Sequence, residues 1–338
     1  MSIDVGAAAP RLGALRLAAT IFLPDADRIA APGIVVFAIA GGGYARGYFD
    51  MAFPGHRGYS QAEYHTGNGL ILVACDPIGV GESTLPPADA ITIEDLADTY
   101  DTAVREIASR LASGTVVPGF PALTPQVRIG IGQSMGGCIT IVTQARRHTF
   151  DAIAALGYSA IHTALPQPDA ASYERARTSY HVGRDADLSS HSMAEKSATV
   201  ASFLYPFHME SVPRDIIDAD MAGGYPLRTK APPFGSVAIP TCALTMMTPG
   251  VVAAEAAAVS VPVLVGVGER DVCPDPRAEP AAYRGASDIS VCIVPDMAHM
   301  HNFATTRHRL WRRIESWARG VGAESIAAVS RDRTGSTT

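Results

Sequence analysis

The sequence predicts an α/β protein with a mostly parallel, doubly wound sheet and an inserted, mainly helical cap. Short runs of β-branched apolar residues alternate with longer amphipathic segments, which is typical of a parallel sheet. This alternation stops near residue 158 and resumes near residue 255. We therefore predict a core domain of residues 1–158 and 255–322, a cap of residues 159–254 and a disordered tail of residues 323–338. With 338 residues, 47% of them hydrophobic, the chain is long enough for such a core.

The individual elements follow from their residue patterns. The predicted strands are the apolar runs at residues 33–40, 70–76, 127–131, 151–157, 261–268 and 288–295. The strongest predicted helix covers residues 91–111, because Thr92 can cap it together with Asp95 and apolar residues recur at helical spacing. Further helices are predicted at residues 59–67, 138–148 and 302–319.

Composition excludes several classes of function. Charges of both signs are interspersed, the net charge is -6, and no long basic run is present, which argues against a nucleic-acid partner. No run of 18 apolar residues occurs, so no membrane span is predicted. The first residues lack a basic region, and Arg11 and Arg16 interrupt the apolar stretch, so we expect a cytoplasmic protein. Five dispersed cysteines without CxxC spacing indicate free thiols.

A Gly-x-Ser-x-Gly motif is centred on Ser134. The motif is weak by itself, but it directly follows a predicted strand and precedes a predicted helix, which is the context of a nucleophile elbow. Such a turn strains the serine backbone, and Gly132 and Gly136 stand where a side chain would collide with neighbouring backbone. The alternative is a serine that only caps the following helix.

With this motif, the chain resembles the α/β-hydrolase superfamily over about residues 15–320, in particular its esterase- and lipase-like members with a serine nucleophile and a cap. The resemblance implies a catalytic triad in the chain order Ser, acid, His. Asp271 follows the end of a predicted strand and fits the acid best. Glu269 and Asp275 compete for this role, and Glu269 is otherwise expected near the pocket.

Two histidines follow the last predicted strand. His299 fits the family position of the general base, which must reach the serine hydroxyl and the carboxylate with its two ring nitrogens. His301 is expected to cap the last helix, to line the pocket or to contact the triad from outside the pocket. The alternative, a metal bound by both histidines, lacks a third ligand at suitable spacing, so no metal or cofactor is predicted.

The resemblance also implies two backbone N–H donors for an oxyanion. One is Met135, the residue after the nucleophile, and the other lies in the glycine-rich loop after the run at residues 33–40. Gly42 or Gly43 is the expected second donor, with Tyr44 as a further candidate. This loop has Ala40 where the family usually has a histidine that braces it. The alternative, a phosphate-binding loop, lacks both GxGxxG and a P-loop lysine.

These residues together predict acyl transfer. Epoxide hydrolases and haloalkane dehalogenases of this fold use an aspartate nucleophile, whereas this chain has Ser134. We predict a hydrolase that cleaves an ester, lactone or thioester of a small to medium hydrophobic substrate through an acyl-enzyme. A carbon-carbon bond hydrolase, an acyltransferase and a non-catalytic binding protein are the alternatives. A homodimer is the expected assembly from general frequency alone.

The cap is rich in aromatic residues that could line an apolar pocket. The same side chains also suit the cap's own core. They are Tyr173, Tyr180, Phe203, Tyr205, Phe207, Met209, Tyr225 and Phe234.

Overall fold

A mostly parallel sheet forms the centre of the molecule. The computed structural model describes residues 1–335 except residues 125, 180, 181 and 226. The strands are β1 (Ser2–Asp4), β2 (Arg16–Phe22), β3 (Gly33–Ile39), β4 (Ile71–Asp76), β5 (Gln126–Gln133), β6 (Ala152–Leu156), β7 (Val263–Arg270) and β8 (Ile289–Ala298). They lie in the order β1-β2-β4-β3-β5-β6-β7-β8. The pairs β1/β2 and β2/β4 are antiparallel, and all later neighbours in this order are parallel.

All the predicted strands are confirmed, with ends shifted by a few residues, and they correspond to β3 through β8. The two strands at the antiparallel edge, β1 and β2, were not predicted. β1 has only three residues, which is too short for a periodic signal. In β2 the first residue is exposed, the next three are buried and the last three are half-buried, so its sequence RLAATIF shows no clear alternation of apolar and polar residues.

The helices are α1 (Gln61–Gly67), α2 (Ile93–Ala112), α3 (Met135–Arg147), α4 (Ala170–Ser179), α5 (Met193–Ala198), α6 (Leu204–Phe207), α7 (Arg214–Met221), α8 (Ala253–Ala258) and α9 (Arg307–Gly335). The predicted cap of α2 is confirmed, because the Thr92 hydroxyl accepts from the Asp95 N–H and the Asp95 carboxylate accepts from the Thr92 N–H. None of the described helices has the combination of length and apolar character that crossing a membrane requires.

The last helix differs most from its prediction. α9 begins five residues later than expected, at Arg307 rather than residue 302, and continues to Gly335. It therefore includes residues 323–335, for which the sequence indicates a disordered tail, while residues 336–338 lie outside the described part. The segment AESIAA at residues 323–328 contains strong helix formers, which explains the continuation. The division into core, cap and tail stays a prediction.

Both faces of the sheet are covered. Along β3, Val35 and Phe37 pack into the core on the side of α2 and α3, whereas Val36 and Ala38 pack into the core on the side of α9. A strand buried on both faces reads as a continuous apolar run, which is why β3 gave a clear signal in the sequence. Of the helices between β6 and β7, α6 lies beside the end of β8 at the sheet's carboxyl edge. The N–H groups of His299 and Met300 there donate to backbone oxygens of α6, at 2.9 and 3.1 Å.

Candidate active site

The candidate site lies at the carboxyl edge of the sheet, beside β3 and β5. These strands are neighbours, but the chain leaves β3 for β4 on one side and leaves β5 for β6 on the other. Connections that diverge in this way open a crevice at the strand ends. Ser134, Asp271 and His299 each follow the last residue of a strand, namely β5, β7 and β8. The ends of parallel strands meet at one edge, so the fold brings these three positions together.

The backbone at Ser134 has the strained conformation that the motif predicts. Its φ is 54° and its ψ is -118°, a region that residues other than glycine rarely adopt. The Ser134 N–H donates to the Leu156 oxygen at 2.8 Å, which anchors the turn to β6. A Cβ at Gly132 would overlap the Gly136 oxygen, and one at Gly136 would overlap the Ile39 oxygen. The sequence prediction that both glycines are sterically required is therefore confirmed.

Ser134, His299 and Asp271 form one chain of hydrogen bonds. The Ser134 hydroxyl donates to His299 Nε2 at 2.9 Å, and His299 Nδ1 donates to Asp271 Oδ1 at 2.7 Å. Ser134 is half-buried, whereas His299 is 3% and Asp271 7% exposed. One ring nitrogen thus reaches the hydroxyl and the other the carboxylate, which is the geometry that a general base requires.

Asp271 accepts hydrogen bonds on both carboxylate oxygens. Besides the bond from His299, Oδ2 accepts from His301 Nε2 at 2.7 Å and from the Gly268 N–H at 2.8 Å, and Oδ1 accepts from the Val272 N–H at 2.7 Å. Burial alone would raise the pKa of Asp271, but the charges of His301 and His299 and their hydrogen bonds outweigh burial and hold this pKa well below its usual range. Asp271 therefore remains ionised and orients both imidazole rings.

The other residues that the sequence predicts near Ser134, His299 and Asp271 lie in different surroundings. His301 is buried behind Asp271 and neither lines the cavity beside Ser134 nor caps α9, which begins at Arg307. The expectation that Glu269 lies near the pocket is wrong, because β7 continues through this residue and leaves its side chain exposed, where it accepts from the Asp296 N–H at 2.9 Å. Asp275, the other competing acid, is exposed as well.

The glycine-rich loop lies against the serine. Gly42 and Met135 line the same cavity as Ser134, and neither of their N–H groups donates to an acceptor within the described residues. Gly43 is not part of that lining, and its oxygen accepts from the cap instead. Tyr44 is not a candidate donor, because its N–H donates to the Gly41 oxygen at 3.1 Å and its side chain points away to Asp220. The geometry therefore favours Gly42 over the other two candidates.

A cavity of about 100 Å³ opens beside Ser134 and is lined mainly by apolar side chains. Three of the aromatic residues that the sequence indicates line it, namely Phe203, Phe207 and Tyr225. Sequence reasoning missed the other large contribution, which comes from residues 239–247 and includes Met246 and Met247. These residues form an irregular segment with a 3-10 helix, so they lack the periodic pattern that would have marked them.

The remaining cap aromatics whose contacts are described have other roles. Phe234 packs against Phe53 and Phe303, and Tyr205 stacks on Arg270. Tyr180 lies outside the described residues. Some of these aromatic residues thus line the pocket, whereas Phe234 and Tyr205 pack against residues outside the range 159–254, which neither alternative anticipated.

A buried polar cluster in the cap was also missed. Asp220 is fully buried and accepts from His208 Nε2 at 2.8 Å, from Arg228 Nη2 at 2.9 Å and from the Tyr44 hydroxyl at 2.9 and 2.8 Å. One signal in the sequence could have revealed it. Asp220 stands four residues after the buried Ile216 of α7, so a charged residue occupies the apolar face of this helix.

No protein-family profile matches this sequence, and no curated protein sequence is significantly similar to it. Solved structures nevertheless share its fold. A thermophilic esterase from Thermogutta terrifontis, determined with malate bound, is 19% identical with a TM-score of 0.61 over 95% of this chain and 99% of that one. A proline iminopeptidase from Mycobacterium smegmatis is 16% identical with a TM-score of 0.58 over 93% of this chain and 98% of that one. A loop variant of a haloalkane dehalogenase from Bradyrhizobium elkanii is 16% identical with a TM-score of 0.59 over 93% of this chain and 96% of that one.

These similarities extend over nearly the whole chain and, with the strand order, define its class: the protein has the α/β-hydrolase fold. The fold class that the sequence predicts is thereby confirmed. Because one fold supports many reactions, the reaction has to be argued from the site itself.

Proposed function

We propose that the protein is a serine hydrolase that cleaves a carboxylic ester, lactone or thioester of a small to medium hydrophobic substrate. The observation that carries this proposal is the chain of hydrogen bonds from Ser134 through His299 to Asp271, at 2.9 and 2.7 Å, beside an apolar cavity. A serine hydroxyl that donates to a buried, carboxylate-oriented imidazole is arranged for nucleophilic attack.

In the proposed reaction, His299 Nε2 takes the hydroxyl proton while Ser134 Oγ attacks the substrate carbonyl carbon. Asp271 stabilises the imidazolium that forms, and the N–H groups of Met135 and Gly42 bind the oxyanion. Met135 opens α3, so the positive end of the helix dipole also faces the negative charge. His299 then gives the proton to the leaving-group oxygen or sulfur. A water molecule, deprotonated by the same imidazole, finally hydrolyses the acyl-enzyme.

The cavity supports an uncharged acyl group. Most of its lining is apolar, and two hydroxyls in it already have acceptors: Tyr158 donates to the Met246 oxygen at 2.9 Å and Tyr225 to the Gly42 oxygen at 3.1 Å. The ring of Phe207 lies 5.4 Å from that of His299, and both residues are buried. The cavity is small, so we expect esters with short acyl chains to be preferred.

Turnover of p-nitrophenyl esters of increasing acyl length tests this proposal. We expect hydrolysis that is fastest for short acyl chains, that depends on Ser134, and that yields the free acid and the alcohol. Ser134→Ala is the control, because it removes only the attacking oxygen. Equal turnover by this variant, or no turnover of any ester by the folded wild-type protein, would overturn the proposal.

The proposal includes three further points that rest on the sequence. The reaction uses side-chain and backbone groups of this chain, so no metal or other cofactor takes part in it. The partner is a small-molecule substrate rather than nucleic acid or a membrane. A cytoplasmic location and a homodimer are the expected cellular setting and assembly.

A further inference from the structure

The cap holds the glycine-rich loop through the backbone oxygens of that loop. The Gly43 oxygen accepts from Arg228 Nη1 and from the Ser236 N–H, the latter at 3.0 Å. The Gly42 oxygen accepts from the Tyr225 hydroxyl at 3.1 Å. All three donors come from residues between β6 and β7, whereas the loop follows β3. The side chain that would brace this loop from within is missing, because Ala40 stands at that position.

Arg228 is itself held rigidly. Its side chain is fully buried, and its guanidinium lies 4.8 Å from the ring of Tyr44 and 4.9 Å from the ring of Tyr225. Nη2 donates to Asp220 Oδ1 at 2.9 Å and to the Asp220 backbone oxygen at 2.8 Å, while Nη1 donates to Gly43. The planar fork of arginine thus spans from the Asp220 carboxylate to the loop, which the single ammonium of lysine cannot do.

Asp220 fixes the arginine because its own position is determined by several donors. Its carboxylate accepts from the hydroxyl of Tyr44, a residue of the loop region, and from His208. Burial first, and then the charge of Asp220, raise the pKa of Tyr44 well above its usual range, so the phenol stays protonated and donates. A carboxylate and a guanidinium that are both fully buried depend on each other, since either one alone would be an uncompensated charge.

We infer that Arg228, held by Asp220, and Tyr225 are positioning residues that set the direction of the oxyanion-binding peptide groups. This inference rests on the proposed function. The C=O of one residue shares its peptide group with the N–H of the next residue, so the contacts to the Gly43 oxygen fix the peptide group that carries the Tyr44 N–H. This N–H donates to the Gly41 oxygen at 3.1 Å, and the Gly41 C=O shares its peptide group with the Gly42 N–H, the candidate oxyanion donor. The contact of Tyr225 with the Gly42 oxygen holds the peptide group on the other side of Gly42. These residues between β6 and β7 therefore do more than cover the pocket, because their donors also hold the glycine-rich loop.

The inference predicts a specific kinetic effect for Arg228→Gln. Without the fork, the loop loses its alignment with the developing oxyanion, and kcat for a short ester falls about 10- to 100-fold. The apolar cavity that binds the ester in its ground state is unchanged, so KM changes less than about threefold. The affinity of a trifluoromethyl ketone should fall in parallel with kcat/KM, because this inhibitor adds to the serine and places an oxyanion in the same hole.

Arg184→Gln is the matched control. Arg184 is also a cap arginine, and it joins the core through Glu94 at 2.6 Å and Glu255 at 2.5 Å, but it does not contact the glycine-rich loop. Its loss should weaken the seating of the cap and lower the melting temperature, with kcat and inhibitor affinity changed less than about twofold. Arg228→Lys keeps a positive charge beside Asp220 and should fold, yet show most of the loss in kcat.

Three results overturn the inference. The first is that Arg228→Gln and Arg228→Lys have the same kcat as Arg184→Gln. The second is that Arg228→Gln has an increased KM and an unchanged kcat. If neither Arg228 variant folds, Tyr225→Phe decides, because it removes only the hydroxyl that donates to Gly42, and an unchanged kcat overturns the inference. Absence of Ser134-dependent turnover in the wild-type protein is a different result, which overturns the proposed function and this inference together.

Discussion

Two buried carboxylates each accept a hydrogen bond from a histidine: Asp271, which follows β7, and Asp220, which lies in α7. They differ in the partner of the second ring nitrogen of that histidine. His299 donates to Asp271 at 2.7 Å, and His208 donates to Asp220 at 2.8 Å. The other ring nitrogen of His299 lies 2.9 Å from the Ser134 hydroxyl, whereas Nδ1 of His208 has no partner within the described residues. An Asp-His pair is therefore not a site by itself, and the third group within reach decides its role.

The two carboxylates also differ in how their charge is balanced. Asp220 forms a buried ion pair with the guanidinium of Arg228, so its charge is balanced by a side chain of opposite charge. Asp271 is bound by two histidines and two backbone N–H groups, and none of these carries a fixed charge. Asp271 can therefore stabilise a positive charge that appears on His299 during the reaction, while the charge of Asp220 is already used to hold the arginine.

The largest expected effect is a difference in kcat/KM between variants of His299 and variants of His208. His299→Gln removes the general base and should lower kcat/KM for a short ester about 10,000-fold or more. His208→Gln removes one donor to Asp220 but leaves the Arg228 contact, so the loss should stay below about tenfold. Steady-state kinetics on both folded variants checks this difference. Similar losses in the two variants would contradict the assignment of different roles.

The next effect concerns the stability of the cap. Asp220→Asn leaves Arg228 buried without a counter-ion and should lower the free energy of unfolding by about 3–5 kcal/mol. Asp271→Asn leaves no fixed charge uncompensated, so it should destabilise the protein less and reduce activity more. Urea unfolding of both variants measures the difference. An unfolding midpoint of Asp220→Asn equal to that of the wild type would show that the ion pair does not contribute as described.

A smaller effect is expected at the second histidine of Asp271. His301→Phe removes one of the donors that orient this carboxylate and should lower kcat/KM about tenfold, the order expected for one hydrogen bond to a charged group. His301→Gln retains an N–H that can donate, so it should recover much of the loss. Steady-state kinetics of His301→Phe and His301→Gln at one pH check this prediction. If His301→Phe is as active as the wild type, His301 does not position Asp271.

The smallest effect is a pH dependence of stability. The pKa of Asp271 is lowered in the folded protein, so its ionised form stabilises the fold above the unfolded carboxyl pKa of about 4, and this contribution is lost as the pH falls further. The difference in melting temperature between the wild type and Asp271→Asn should therefore narrow as the pH falls below about 4. A constant difference down to about pH 3 would contradict the lowered pKa.

The core site could be predicted from the sequence because its geometry is encoded locally. Ser134, Asp271 and His299 each follow a strand directly, and parallel strands place their ends at one edge. Likewise, the glycines at 132 and 136 are required by their immediate neighbours in the turn. The contribution of Glu269 was predicted wrongly because the sequence does not reveal where β7 ends, and this end decides which side chains turn toward the site.

The buried polar cluster around Asp220 could not be predicted in the same way. Tyr44 and Asp220 are 176 residues apart, and no strand register or repeat relates them. Asp220 on the apolar face of α7 indicates a buried partner, but the sequence gives no means to identify Arg228 or the loop oxygens as that partner. The edge strand β2 was missed for a related reason, since its exposure changes along its length rather than alternating.

Intact-mass analysis after exposure to a fluorophosphonate tests the central claim most directly, because the reagent labels a serine that is activated by its surroundings. The account predicts one adduct on the wild-type protein and none on Ser134→Ala, with both proteins folded. No adduct on the folded wild type, or the same adduct on Ser134→Ala, would contradict the assignment of Ser134 as the nucleophile.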